Sequence, residues 1–380
     1  MLERLPECLM FSIIRHCAGC IHTTECVCIS FRRISLKVLL ETTAQFNSHV
    51  LFVTQFRAVN KLMQRFALID FQAGPHIIWQ NNFDRDLGDA SLLSDYPILY
   101  LAGGSHHSVD QGHVMPQNYS RRAELFNVET HKFTKLQSMT HSRRRCALAM
   151  SKNGDLISFG GHAGEYFAEM PLSKTIEIYK NGTWKTLHVQ LPSPIWNAQT
   201  ATVGHEIFIF GTSFQYNQVF TDDLHRPVFL CFNTSNHTFR NVRQTTTKRP
   251  WCSICSLFEK IYTIAGEGIS SDTAEVYDIH TDTWSALPSL ACPIQAVGAS
   301  LKSGSFTMPL CSNGIVELWT FMHSGMIQIF NIRTLTWRIH SHRLPHSITP
   351  KPHIYGQTNV LQNALPLLPG NWKLQKTQDM

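Results

Sequence analysis

Charge is scarce in this chain. Only 16% of its 380 residues are Asp, Glu, Lys or Arg, 43% are hydrophobic, and the net charge is +6. That balance excludes a solvated, disordered chain and suits strands buried in a core. Basic runs are equally sparse, the longest being Arg143-Arg144-Arg145. Nucleic-acid binding calls for a denser basic stripe with stacking aromatics, so no nucleic-acid partner is expected. No apolar run approaches the ~18 residues that span a bilayer, so no membrane partner is expected either. Met1-Leu2-Glu3-Arg4 is not a basic leader, which points to the cytoplasm, the nucleus or both. There the 11 cysteines are expected as reduced thiols, and Asn-x-Ser/Thr sites such as Asn118 and Asn181 carry no sugar.

Catalytic signatures are missing as well. Nucleophile-elbow, P-loop and His-Glu-x-x-His patterns are absent from the sequence. The 20 histidines form no clustered pair in a strand context, and His106-His107 stands apart. One lure remains, His16-Cys17-Ala18-Gly19-Cys20-Ile21-His22 with Cys26 and Cys28 behind it. Cys-x2-Cys is a zinc-knuckle spacing, but Cys26-x-Cys28 is not the usual second knuckle. The reading is packed free cysteines, with no metal, no cofactor and no enzyme. Cys252 and Cys255 repeat the spacing within an alternating stretch that reads as a strand.

What the chain has in quantity is repetition. Bulky rings stand at Trp79, Phe133, Trp184, Phe239, Trp284 and Trp337. Their period of about fifty residues is longer than that of helical solenoids and suits a propeller blade. Upstream of the rings lie alternating segments: Ala123-Glu124-Leu125-Phe126, Ile176-Glu177-Ile178-Tyr179, Ala274-Glu275-Val276-Tyr277 and Ile327-Gln328-Ile329-Phe330. Phe229-Leu230-Cys231-Phe232 is a weaker copy. Such alternation is a strand buried on one face, and the Asn or Asp that usually follows suits a tight turn. The aromatic that ends each segment precedes its ring by seven residues in four copies and by five in the Tyr179–Trp184 copy. Further upstream, apolar runs close on glycine at Gly103-Gly104, Gly160-Gly161, Gly211 and Gly266. There a Cβ would obstruct the backbone path.

The glycine pair, the Glu-aromatic strand and the ring after it resemble kelch repeats. Five copies are clear between about residues 97 and 345, and a degenerate one runs from Val50 to Trp79. The resemblance implies an all-β fold, a six-bladed kelch-type β-propeller over 41–372, with a polar tail at 373–380. Either residues 353–360 or residues 36–42 could complete the first blade. Copper oxidases share this fold and sialidases use propellers, but neither a copper-ligand constellation nor a Ser-x-Asp-x-Gly-x-x-Trp box is seen here.

Before residue 40 the period becomes helical, with Leu5, Leu9, Ile13 and Cys17 on one stripe. This segment, 1–40, resembles an F-box, with its Leu5-Pro6 start and Val27 to Ile34 stretch. Its Cys/His-rich middle departs from that family's preference for leucine. The resemblance implies that Leu5, Pro6, Leu9, Ile13, Ile14, Val27 and Phe31 meet a Skp-type adaptor and, through it, a cullin complex. The chain would then be the substrate-recognition subunit of an SCF-type ubiquitin ligase, its propeller gripping a protein substrate. A kelch scaffold without a ligase link is the alternative.

The partner-gripping face is expected where the glycine-ended strands finish. Connections there are long and varied, at 105–121, 162–174 and 212–226. Segments leading into each blade reach the same face and carry Arg143, Arg144, Arg145, Trp196, Arg249 and Trp251. Arginine and tryptophan are the residues most enriched at binding hot spots.

Overall fold

Alternating apolar and polar residues, punctuated by Asn or Asp, dictate short antiparallel strands joined by tight turns. The computed structural model describes residues 49–344, apart from 59–60, 72–74, 85–86, 89, 96–97, 111–112, 164–171, 214–225, 250–251, 267–271, 293–305, 313–314 and 323–324. The expected helical segment 1–40, both segments considered for completing the first blade, and the tail 373–380 lie outside these residues.

Among the described residues the chain is built of strands, with no helix. Six consecutive antiparallel sheets follow one another as blades. Blade 1 contains His49–Ala58, Lys61–Asp70 and His76–Asp84. Blade 2 contains Ser91–Asp95, Ile98–Ala102, Ala123–Asn127 and Lys132–Lys135. Blade 3 contains Ala147–Met150, Leu156–Phe159, Ile176–Lys180 and Thr183–Thr186. Blade 4 contains Trp196–Val203, Glu206–Ser213, Arg226–Asn233 and Thr238–Arg240. Blade 5 contains Ser253–Leu257, Lys260–Ile264, Ala274–Asp278 and Thr283–Leu287. Blade 6 contains Phe306–Ser312, Ile315–Phe321, Ile327–Asn331 and Thr336–Ile339.

Apolar clusters bind each blade to the next and close the ring. Phe66 meets Phe126 between blades 1 and 2, and Ala123 meets Trp184 between 2 and 3. Phe159 meets Phe232, and Phe229 meets Tyr277, at the next two interfaces. Ile264 meets Phe330 between blades 5 and 6, and Phe321 meets Phe71 where blade 6 returns to blade 1. Full burial of one such ring stabilises by about 1.5–3 kcal/mol, so each interface draws on several. Polar links reinforce the innermost strands: Ser91 Oγ donates to the Cys146 carbonyl at 2.5 Å, and Thr200 Oγ1 to the Leu148 carbonyl at 2.5 Å. The Gln199 side chain accepts from Ile254 N at 3.1 Å, and Ser253 and Thr307 hydroxyls meet at 2.6 Å.

Strand registry explains the aromatic spacing. Phe126 faces Phe133, Tyr179 faces Trp184, Phe232 faces Phe239, Tyr277 faces Trp284 and Phe330 faces Trp337 directly across the ladder. In the seven-residue copies Asn127, Asn233, Asp278 or Asn331 accepts from backbone N–H groups of the turn. The five-residue copy turns on Asn181-Gly182 alone, at φ of 51° and 79°. That is the two-residue turn whose twist matches a hairpin. Trp79 departs from the column: it packs toward blade 2, stacked on His131 at 4.2 Å, whereas Trp184 packs toward the preceding blade. A register shift between Leu68 and Ile69 interrupts its ladder, and a one-residue slip turns side chains to the opposite face.

The glycine pairs sit where neighbouring backbones touch. Gly104 N donates to the Arg143 carbonyl and Gly161 N to the Ile195 carbonyl, each at 2.8 Å, so each pair is bonded to the segment leading into the next blade. A Cβ on Gly103, whose φ is +69°, would lie 2.2 Å from the Arg143 oxygen. One on Gly182, at φ +79°, would meet nothing within 4 Å. Gly182→Ala should therefore lower stability by the left-handed cost alone, about 1–2 kcal/mol. Gly103→Ala should cost clearly more, about 3 kcal/mol or above, through displaced backbone. Urea midpoints of the two variants check this, and equal losses would contradict the close-approach account.

Candidate binding face

In an antiparallel four-strand blade, the first and third turns emerge at one end and the second turn at the other. The second turns here follow the glycines, and the segments leading from blade to blade reach the same end. Residues 105–121, expected as a loop, instead build a hairpin from Ser105–Asp110 and His113–Tyr119. Leu87–Gly88 pairs with it to make a third strand. Its sequence signal was Gly112 between two short runs, each carrying a valine (Val109 and Val114). Arg143–Arg144 and His162–Ala163 form a second small ladder beside it.

The arginines on this face are placed by frame chemistry. Arg143 is 0% exposed and reaches Glu177 at 3.1 Å, while its Nη1 donates to the Gly160 carbonyl at 3.0 Å and the Thr175 carbonyl at 3.2 Å. Arg249 repeats this in blade 5, reaching Glu275 at 3.3 Å and the carbonyls of Ala265 at 3.2 Å and Thr273 at 2.8 Å. Both guanidinium groups point into a blade, so neither offers its charge to a partner. Glu177 also accepts from the His141 N–H at 2.8 Å, tying the lead-in segment down. In blades 3 and 5 the acid of the Glu-aromatic strand is thus a clamp on the chain that enters its own blade.

Arg144, Arg145 and Trp196 are buried too, but among aromatic rings. The Arg144 guanidinium lies over Tyr119 at 5.2 Å and that of Arg145 over Trp196 at 5.7 Å. His162 joins them, 5.2 Å from Trp196 and 6.4 Å from Tyr119. Tyr119 comes from the hairpin of blade 2, the arginines and His162 from blade 3, and Trp196 from blade 4. Tyr119 and His162 were not singled out in the sequence, because nothing local marks them. Trp251 and the adaptor-facing set Leu5, Pro6, Leu9, Ile13, Ile14, Val27 and Phe31 lie outside the described residues.

Comparison with known proteins agrees with this blade anatomy. The Kelch motif matches residues 252–291, the stretch that forms the four strands of blade 5. An Arabidopsis thaliana protein described as an F-box/kelch-repeat protein is 25% identical over 202 residues. The match covers 53% of this chain and 43% of that protein, so the chain spans less than half the length of the curated relative it matches. Blade 5 thus carries a kelch motif, and the chain is similar to a kelch-repeat protein over about half of its length.

The kelch acid varies by blade in a consistent way. Blade 6 carries Gln328 instead, whose amide accepts from Cys292 N at 2.9 Å and donates to its carbonyl at 2.7 Å. A neutral clamp therefore serves where no arginine enters. In the matched kelch blade Cys252 and Cys255 lie in different apolar clusters, which separates the two thiols. Burial pushes each up to about 12, far from the thiolate form that binds metal or reacts. Thiol alkylation at pH 8 followed by peptide mapping should leave both unmodified in the folded protein and modify both in urea.

Glu275 yields a pH prediction. Burial pushes its carboxyl up, but hydrogen bonds from Thr246 and the charge of Arg249 outweigh that and hold it below the usual carboxylate range. Its stabilisation is therefore present above the ordinary value of 4.5 and fades as pH falls through the lower folded value. Glu275→Gln should destabilise by about 3 kcal/mol at pH 7, because a buried guanidinium loses its counter-charge. The gap to wild type should narrow below pH 4, as denaturant titrations at several pH values would show.

Proposed function

We propose that this chain is the substrate-recognition subunit of an SCF-type cullin-RING ubiquitin ligase. In this reading residues 1–40 dock on a Skp-type adaptor and the kelch propeller holds a substrate protein. The observation that carries it is a ring of antiparallel blades whose second connections differ in length and sequence, preceded in sequence by the Leu5-Pro6 apolar segment. The F-box/kelch-repeat description of the Arabidopsis relative supports the same pairing of modules. Catalysis is supplied by an associated E2 enzyme, and this chain acts by positioning alone. Such a subunit works in the cytoplasm, the nucleus or both.

On the propeller, recognition falls to what the frame leaves over. Arg143 and Arg249 are engaged in clamps, and Tyr119, Arg144, Arg145, His162 and Trp196 are buried against one another, so we assign substrate contact to the blade 2 hairpin, with that seam as its support. Pull-down with purified Skp adaptor tests the ligase link. Wild-type chain should be captured, and a Leu9→Asp/Ile13→Asp double variant should not, since an aliphatic groove does not accept an unpaired charge. Circular dichroism should show the same strand signal for both. Failure of folded wild-type chain to bind would transfer the reading to a kelch scaffold without a ligase link.

A further inference from the structure

Six copies of one blade supply their own controls, and blade 6 departs from the others at its outer edge. In each of blades 2 to 6 the outermost strand carries the buried or half-buried ring, with a left-handed turn residue two positions before it and another residue two positions after it. Those flanks are His131 and Lys135 in blade 2, Gly182 and Thr186 in blade 3, His237 and Asn241 in blade 4, and Asp282 and Ala286 in blade 5. Polar or small residues fill every one. Blade 6 has Leu335 and Ile339 around Trp337.

Both are exposed, Leu335 by 51% and Ile339 by 49%, and with Phe258 they are the large exposed hydrophobic residues among the described ones. Leu335 also sits at φ 55°, in the left-handed region that a branched aliphatic residue disfavours. Its counterparts use that position for local contacts: His131 stacks on Trp79, His237 stacks on Phe232, and Asp282 accepts from the Tyr277 hydroxyl at 2.5 Å. A strained leucine half in water is the reverse of what stability favours.

Among the described residues the strand Thr336–Ile339 is also the outer edge of its sheet, where a further strand could pair. Lysines guard the corresponding edges of blade 2 (Lys132, Lys135) and blade 3 (Lys185). Here the surrounding charge has one sign. Residues 332–344 contain Arg333, Arg338, His340, His342 and Arg343 but no Asp or Glu. Arg333, His342 and Arg343 are exposed, and Arg338 pairs with Glu317 of the same blade at 2.7 Å. Exposed apolar side chains at an edge strand beside the exposed Arg333 and Arg343 are complementary to one kind of partner.

We propose that the outer edge of blade 6 binds an extended acidic segment of a partner protein, adding it to the sheet as a fifth strand. Alternate apolar side chains of that segment cover Leu335, Trp337 and Ile339, and its carboxylates meet Arg333 and Arg343. The site is separate from the seam of blades 2 to 4 and does not depend on a ligase link.

Fluorescence anisotropy on the full chain tests this with a labelled eight-residue peptide alternating valine and glutamate. Wild type should bind it, and should bind the lysine-for-glutamate counterpart at least tenfold more weakly. A Leu335→Asn/Ile339→Thr variant should lose at least tenfold in affinity. It should melt no lower than wild type, because asparagine suits the left-handed position and threonine suits a strand. Amide exchange should show protection of residues 333–343 when the acidic peptide is bound. No binding by wild type, unchanged binding by the variant, or protection elsewhere would overturn the proposal. Concentration-dependent self-association of wild type, abolished in the variant, would overturn it in favour of a second copy of this chain.

Discussion

The seams between blades 2, 3 and 4 depend on one close approach, the crossing of a lead-in segment over the glycine pair of the blade before it. Gly104 and Gly161 each donate a backbone hydrogen bond to that passing chain, and a side chain on Gly103 or Gly160 would collide with it. The crossing fixes the distance between neighbouring blades. Once that distance is set, the apolar faces meet at contact range and the innermost strands come close enough for Ser91, Thr200 and Ser253 to bridge them. A blade alone could not bury both faces of its sheet. The fold is therefore a property of the ring.

The buried arginines follow from the same geometry. A chain that crosses over a sheet carries peptide groups away from any ladder, and those groups need partners. Arg143 and Arg249 meet the need from one side by donating to the carbonyls that end the glycine strand and begin the next. Glu177 and Glu275 meet it from the other by accepting N–H groups of the lead-in segment, and the two charges then neutralise each other. A guanidinium has enough donors to serve several acceptors at once, which a lysine could not do from one position. The clamp removes two arginines from the recognition surface and leaves the connections between the clamps free to vary.

Much of the fold was legible because its physics is local and repeated. Alternation, Asn or Asp at a turn, glycine at a crossing and a ring seven residues on each leave a mark at a fixed place in most copies. The five-residue copy was legible in hindsight through Asn181-Gly182. Trp79 misled because spacing records only the ladder position, whereas a bulge between Leu68 and Ile69 decides which blade the ring faces. The recognition surface was harder to read. Arg143, Arg144 and Arg145 are three adjacent arginines in sequence, yet one is consumed by a clamp and two lie on rings from other blades. Their fates diverge through partners such as Tyr119 and Trp196, which are distant in the chain and carry no shared motif.

A repeat protein separates what the fold requires from what it does not, since a requirement of the fold recurs in every blade. The ring across the ladder recurs in blades 2 to 6, and the acid and the glycine pair recur in some of them, each with a frame contact that explains it. Features confined to one blade have no such explanation, and stability alone would remove those that carry strain or expose apolar surface. The Leu335–Ile339 edge of blade 6 is of this kind. Selection for folding acts equally on all six blades. A departure that costs stability in one of them is thus retained for a reason outside the ring, and the strained, half-exposed Leu335 of blade 6 is such a departure.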